Sequence, residues 1–317
     1  MKHNVKITAI LLVMFVLTQL IGLVVLSVDP LHVEQEVNGT MQLVDNPHLA
    51  FVQPPENSSP VLTVSQIIFA FIIAIFLMFF LMKFNITILL KFWFFVVVFF
   101  ALWICIYSFE KLLPWEIPSF ALLGIPVLIA GVLAYLKIYQ RNFLIHNLTE
   151  LFIYPGIAVI FVAFLGQWSR GVNLAVIISI LILISLYDLW AVWHSGIMQK
   201  MAKFQMKELN VFAGFFVPYV SKKVRMKIKE MKKSKIKDKK IKVNVAILGG
   251  GDVVFPLITA GIMLQDFGLG AALFVILGAT IGLSYLFFLA EKKKFYPAMP
   301  FISAGIFLGM FLSWLVF

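Results

Sequence analysis

The sequence predicts an all-α, polytopic membrane protein of nine transmembrane helices, with its N-terminus in the cytoplasm and its C-terminus outside. Three observations carry this. Hydrophobic residues are 62% of the chain and charged residues only 13%, far from the roughly 45–50% and 25% of soluble domains. The apolar residues gather into runs of about 20, the length that crosses a bilayer core. The basic residues fall on alternate loops, as cytoplasmic retention of Lys and Arg demands.

The nine runs are Ile7 to Val28, Val61 to Met82, Phe92 to Phe109, Ile117 to Leu136, Leu151 to Trp168, Val172 to Trp193, Val243 to Leu264, Phe267 to Ala290 and Pro297 to Phe317. The first follows Lys2 and Lys6 but is longer than the apolar core of a signal peptide. No small-x-small cleavage site occurs at Ser27-Val28-Asp29, so it reads as a retained span. With the N-terminus inside, Lys2, Lys6, Lys83, Lys91, Lys137, Arg141, the 15 basic residues from Lys200 to Lys242, and Lys292 to Lys294 are cytoplasmic, 24 of the 26 in the chain. Only Lys111 and Arg170 fall outside, and the first external loop carries Asp29, Glu34, Glu36, Asp45 and Glu56 without a Lys or Arg. A missed or invented span would invert every later loop, so this regularity supports the count. The chain divides into an N-terminal bundle, 1–168 (spans one to five), and a second part, 169–317 (spans six to nine), interrupted by a basic cytoplasmic loop, 198–242.

The net charge of +11 sits mostly in that loop, so it implies no nucleic-acid partner. Lys222 to Lys242 reads as a solvated, topogenic segment, with contact to anionic lipid headgroups as the functional alternative. Asn210 to Val220 is apolar enough to lie in the membrane interface. The single cysteine, Cys105, lies in an apolar run and permits no intrachain disulfide. Of the Asn-x-Ser/Thr sequons at Asn38, Asn57, Asn85 and Asn147, only the first two would face outside.

Of the 15 acidic residues, 13 lie in loops or at span edges, and the exceptions are Asp188 in the sixth span and Asp252 in the seventh. A carboxylate at mid-membrane costs about 2.5–3.5 kcal/mol, so the pair burdens insertion by roughly 5–7 kcal/mol. The sixth helix runs inward and the seventh outward, which brings both acids to a similar depth nearer the cytoplasmic face. Intramembrane acids also bond neighbouring helices or line ion paths, and depth alone leaves those readings open. The local sequence argues for more. Asp252 closes Gly249-Gly250-Gly251-Asp252, and glycines inside a helix weaken it while letting a foreign backbone approach. Pro256 lacks the N–H that would pair with the carbonyl of residue 252.

Three motifs resemble those of the GxGD intramembrane aspartyl proteases, the family of presenilin and signal peptide peptidase. Tyr187-Asp188-Leu189-Trp190-Ala191-Val192 is similar to the family's YD motif, and Gly249-Gly250-Gly251-Asp252-Val253-Val254-Phe255-Pro256 to its GxGD block. Pro297-Ala298-Met299-Pro300 resembles the PALP element, with Met299 in place of leucine. The motifs run from Tyr187 to Pro300, and the first five spans match in number and orientation alone. An inside N-terminus and a cytoplasmic loop between the two acidic helices resemble presenilin, in the compact form of a microbial, archaeal-type homologue. The resemblance implies catalysis by Asp188 and Asp252. It further implies an active-site scaffold of Tyr187, Gly249, Gly250, Gly251, Pro297, Ala298, Met299 and Pro300.

The chemistry implied is water activation by two carboxyls that share a proton, one acting as base and the other donating to the developing oxyanion. No cofactor or metal is called for. Such an enzyme acts on transmembrane helices of other proteins, which must unwind locally to expose a peptide bond, with extended pairing as the means. A polar, inward-opening cavity would supply water. Ser185 and Ser195 share the face of Asp188 and would hydrate it, although ordinary bonding to the helix backbone is the favoured reading of both. His194 falls on another face. The localisation expected is multi-pass in the membrane, the plasma membrane in a microbe, with lipid as surroundings.

Rival readings differ in specific ways. An ion- or proton-coupled transporter would use the same buried acids but usually shows inverted repeats, and none is visible. A prepilin peptidase also has a GxGD aspartate, but with a lysine soon after it, where this chain has Val253 to Pro256. Metalloprotease chemistry lacks its His-Glu-x-x-His helix, and no intramembrane Ser and His pair stands out for rhomboid-type chemistry.

Overall fold

The long apolar runs fold as helices. The computed structural model describes residues 5–37, 40–54, 59–84, 86–113, 119–140, 142–195, 213–219, 244–290 and 296–317. Among them are helices α1 (Val5–Ser27), α2 (Pro60–Lys83), α3 (Thr87–Glu110), α4 (Ser119–Tyr139) and α5 (Phe143–Leu165). There follow α6 (Arg170–Trp190), α7 (Gly250–Phe267), α8 (Leu269–Leu289) and α9 (Met299–Val316). Seven helices among the described residues are long and apolar enough to cross a membrane. The other two are α4, whose apolar stretch is shorter, and α7, whose Asp252 and Asp266 lower its hydropathy.

The all-α expectation is corrected by two small antiparallel sheets. One follows α1 and pairs β1 (His32–Val37) with β2 (Thr40–Asp45); the other pairs β3 (Gly214–Tyr219) with β4 (Asn244–Gly249) and leads into α7. The second sheet specifies one reading and overturns another. Within the apolar stretch Asn210 to Val220 the described residues Gly214–Tyr219 form β3, and the seventh apolar run starts as a strand. Its alternation explains why: Phe215, Val217, Ala246 and Leu248 are buried, while Val245 and Ile247 turn outward, the period-two pattern of a half-buried sheet. The basic run Lys222 to Lys242, Arg141, Lys292 to Lys294 and the sequons at Asn38, Asn57 and Asn85 lie outside the described residues.

The main core lies where α1, α5, α6, α7, α8 and α9 meet, with Leu11, Phe15, Ile177, Leu181, Leu257 and Ala279 inside it. Small residues set the spacing. Gly22 of α1 has no room for a β-carbon against Leu257 of α7, nor Gly156 of α5 against the Ala101 carbonyl of α3. The four-residue glycine spacings Gly278/Gly282 and Gly305/Gly309 press α8 and α9 backbone to backbone, as small-xxx-small pairs do in membranes. Helix α2 is the outlier, with 6% of its apolar window buried. Beyond α3, Lys111 Nζ donates to the carbonyls of Asp29 at 3.1 Å and His32 at 2.8 Å, tying the first loop to the bundle. Burial there lowers the Lys111 ammonium from its ordinary value, against the opposing pull of Asp29.

Candidate active site

Helix α6 carries Asp188 within its last turn. Its side chain is buried, with the whole residue 4% exposed. Its Oδ2 accepts from the Met299 N–H at 3.0 Å, and the Ala298 N–H donates to the same carboxyl. Both donors come from the start of α9, where the first N–H groups of a helix have no partner within it. Ala298 is the N-cap and Pro300 follows Met299 in the first turn, so the Pro-Ala-Met-Pro element supplies the acid with free donors. Pro297 and Met299 are buried beside it and Ala298 and Pro300 half-buried. Ser185, one turn before Asp188, donates to Ser303 of α9 at 2.9 Å. That replaces the helix-backbone bond expected of it, because α9 packs on this face and offers a hydroxyl. The side chains of His194 and Ser195 lie outside what the structure describes.

Asp252 is not inside a helix, as the glycine run had suggested, but at its beginning. Gly249 ends β4 and caps α7 with extended backbone (φ −65°, ψ 147°), which makes Asp252 the third residue of the helix. Its carboxyl accepts from the Gly249 N–H, the reciprocal half of a capping box. The three glycines thus serve a strand-to-helix change of direction, and the acid stands at a helix N-terminus, where negative charge is favoured. The pair is close enough for the charge of Asp188 to act on Asp252.

The glycines differ in surroundings. A β-carbon at Gly250 would meet the Tyr154 hydroxyl at 2.9 Å, whereas one at Gly251 would meet nothing nearer than a Phe255 ring carbon at 3.8 Å. Gly251 is exposed and Asp252 half-buried, so the surface comes nearest to Asp252 on the Gly251 side. Gln19 of α1 donates to the Val253 carbonyl at 2.9 Å and steadies this first turn. Tyr187 sits edge-on to Phe71 of α2, ring centroids 5.5 Å apart. The concavity at Val28, Asp29, His32, Val33, Glu34, Leu43 and Lys111 lies in the first loop, away from the acids.

Sequence reasoning missed a buried polar group behind this site. Glu150, placed at a span edge, lies in the second turn of α5 and is 1% exposed. Lys137 of α4 donates to its Oε1 across a short ion pair of 2.6 Å. The spacing of His146 and Glu150, four apart on one helix face, was the available signal. No group of three or more His, Cys, Asp or Glu among the described residues is arranged to hold a metal ion.

A helical membrane bundle that brings two aspartates of successive helices within electrostatic reach of each other has the form of the intramembrane aspartyl proteases as a class. The model of one such family, signal-peptide peptidase, presenilin aspartyl protease, matches residues 13–317. The chain belongs to that family and is an intramembrane aspartyl protease. Its fold is similar to a presenilin family intramembrane aspartate protease solved in space group C222, with a TM-score of 0.60 at 14% identity, covering 98% of this chain and 99% of that one. A presenilin family intramembrane aspartate protease solved in space group P2 gives 0.54 at 15% identity, with 97% of each chain covered. No curated protein sequence matches the chain.

Proposed function

We propose that Asp188 and Asp252 are the catalytic pair of an endopeptidase that hydrolyses peptide bonds inside the transmembrane segments of other membrane proteins. Tyr187, Gly249, Gly250, Gly251, Pro297, Ala298, Met299 and Pro300 form the surrounding scaffold. All nine helices cross the bilayer, with the N-terminus cytoplasmic and the C-terminus external, as the distribution of Lys and Arg requires. The protein is multi-pass in lipid, in the plasma membrane of a microbe.

The observation that carries the assignment is the position of Asp252 at the end of a sheet edge. Asn147 bonds both the N–H and the C=O of Phe216, so those groups point away from β4. By the alternation of an antiparallel ladder, the paired Ile247, and with it Val245 and Gly249, turn their backbone groups to the opposite, outer edge of β4. The Gly249 N–H on that edge points at Asp252. An unwound segment of a substrate helix adds to this edge as a strand, regaining its lost hydrogen bonds, and its next carbonyl arrives at the acids. One carboxylate then takes a proton from water, which attacks the scissile carbonyl, while the other, protonated, donates to the developing oxyanion.

The test is cleavage of a labelled single-span substrate by purified protein, with and without a transition-state isostere for aspartyl proteases. Asp188→Asn, Asp252→Asn and the double variant should all fall to one low floor, because groups that act as a unit are not additive. A folded Asp252→Asn protein that cleaves at near the parent rate would overturn the assignment, as would ion flux without cleavage.

A further inference from the structure

A two-stranded sheet is marginal by itself, and the glycines that join β4 to Asp252 permit many backbone angles, so packing must set the angle between the sheet and the acid. Helix α1 packs on β3, and the Gly250 N–H donates to the Ala213 carbonyl at 3.3 Å, but the side-chain hydrogen bonds come from one stripe of α5. Asn147 Nδ2 donates to the Phe216 carbonyl at 2.7 Å and its Oδ1 accepts the Phe216 N–H at 2.9 Å, the two-point pairing that a neighbouring strand would make. His146 Nε2 bonds the Gly214 carbonyl at 2.8 Å, and the Gly214 N–H reaches Glu150 Oε1 at 3.4 Å. Lys137 Nζ, 3.3 Å from His146 Nδ1 and 2.6 Å from Glu150 Oε1, is a donor only. It therefore makes Nδ1 an acceptor and leaves the imidazole proton on Nε2, facing the Gly214 carbonyl.

The stripe continues to the catalytic helix. Tyr154, one turn beyond Glu150, sets its ring against Phe215 of β3, centroids 5.7 Å apart, and its hydroxyl against Gly250. One rigid helix thus touches the sheet at Gly214, Phe215 and Phe216 and touches α7 at its first residue. The contact is specific for register. Sliding β3 by two residues in one direction would offer Asn147 the backbone of Pro218, which has no N–H; sliding it by one would turn its buried face outward.

We propose that His146, Asn147 and Glu150, backed by Lys137, are positioning residues that, through β3, hold the β4 edge at its angle to Asp252 across the Gly249–Gly251 turn and so select the bond that is cut. This rests on the reading that substrate pairs with β4. The same residues close the outer edge of β3, leaving β4 as the edge for substrate.

The experiment is mass-spectrometric mapping of the products of one single-span substrate, with KM and kcat measured for each bond. A transition-state isostere confined to the scissile position counts intact active sites. Asn147→Leu keeps side-chain bulk but removes both bonds to Phe216. Its cleavage should spread to bonds two residues away, on the same strand face, and kcat/KM at the original bond should fall about tenfold to a hundredfold, with isostere titration unchanged. Lys137→Met with Glu150→Leu exchanges a buried ion pair for apolar residues of similar size, a change that proteins often tolerate, and should also spread the products. Lys137→Met with Glu150→Gln restores an acceptor for the Gly214 N–H and should restore the original bond. Unchanged products in both disrupting variants, with activity falling only as the isostere count falls, would overturn the proposal and leave a merely structural role. In parallel, Asp252→Asn separates the cases: activity there breaks the aspartyl assignment, whereas inactivity there with unchanged products in the clamp variants breaks the clamp alone.

Discussion

The two neighbouring glycines, Gly250 and Gly251, should respond oppositely to substitution. A β-carbon at Gly250 would lie 2.9, 3.1 and 3.3 Å from the hydroxyl and two ring carbons of Tyr154. That ring is buried and held edge-on by Phe215, so it has little room to swing. Overpacking of this kind costs about 1–3 kcal/mol, against which alanine returns up to about 1 kcal/mol of helix propensity, so the net loss of stability in Gly250→Ala should reach about 2 kcal/mol. At Gly251 an added β-carbon meets nothing nearer than 3.8 Å, and leucine there gains about 0.6–0.8 kcal/mol of helix propensity. The same side chain fills the gap beside Asp252 that a strand lying about 4.8 Å from β4 must occupy, so cleavage by Gly251→Leu should fall about a hundredfold or more. The assay pairs thermal unfolding in detergent with cleavage of a single-span substrate per titrated active site. Parent-like cleavage by Gly251→Leu would mean that the opening is not the route of the substrate. Parent-like stability of Gly250→Ala would mean that Tyr154 yields and does not brace the helix.

Two further outcomes follow from the same geometry. Ile247→Pro removes an N–H that faces away from β3, where proline is tolerated; it should fold but lose about three- to tenfold in kcat/KM relative to Ile247→Ala, the worth of one hydrogen bond of about 0.5–1.5 kcal/mol, and equal activity of the two would refute strand pairing at that position. Topology reporters fused after Lys83, Arg141 and Lys235 should read cytoplasmic and those between Asp29 and Ser59 external, and an external reading at Lys235 would invert the nine-span scheme.

The helices were legible because a run of about 20 apolar residues has few other uses, and the predicted and observed bounds of α2, α6 and α8 differ by a few residues. The errors fall where tertiary pairing outweighs hydropathy. Val243, Val245 and Ile247 ahead of three glycines read as the start of a span, since a short apolar run does not distinguish a buried strand from a helix. Helix α5 begins eight residues before the predicted Leu151, at Phe143. His146, Asn147, Thr149 and Glu150 looked like loop because they are polar, and nothing nearby announces their partners Gly214 and Phe216, more than 60 residues on. In the first loop, the Asn-Gly dipeptide between two alternating runs is the hairpin signal that went unread. The acids were found because an unpaired carboxylate inside an apolar run is costly enough to need a reason.

That cost is met in the same way at both acids, which gives the three motifs one physical purpose. Asp252 stands in the first turn of α7 and takes the N–H of the residue that caps it. Asp188 has the harder surroundings, since α6 continues past it into a π-helical turn at Ala191–Ser195 and the Ala191 N–H is used on the Asp188 and Tyr187 carbonyls, so its own helix offers the carboxyl no free N–H. It is supplied instead by the free N–H groups at the start of α9, those of Ala298 and Met299. A regular helix running through residues 297–300 would use those donors on its own carbonyls. Pro297 and Pro300 work against this, because proline carries no N–H and restricts the residue before it. Leucine or methionine at position 299 can serve equally, since the contact to Asp188 is made by the backbone and the side chain has only to be buried. The glycine block and the proline block are therefore two solutions to one requirement: each brings the open N-terminus of a helix to a carboxylate.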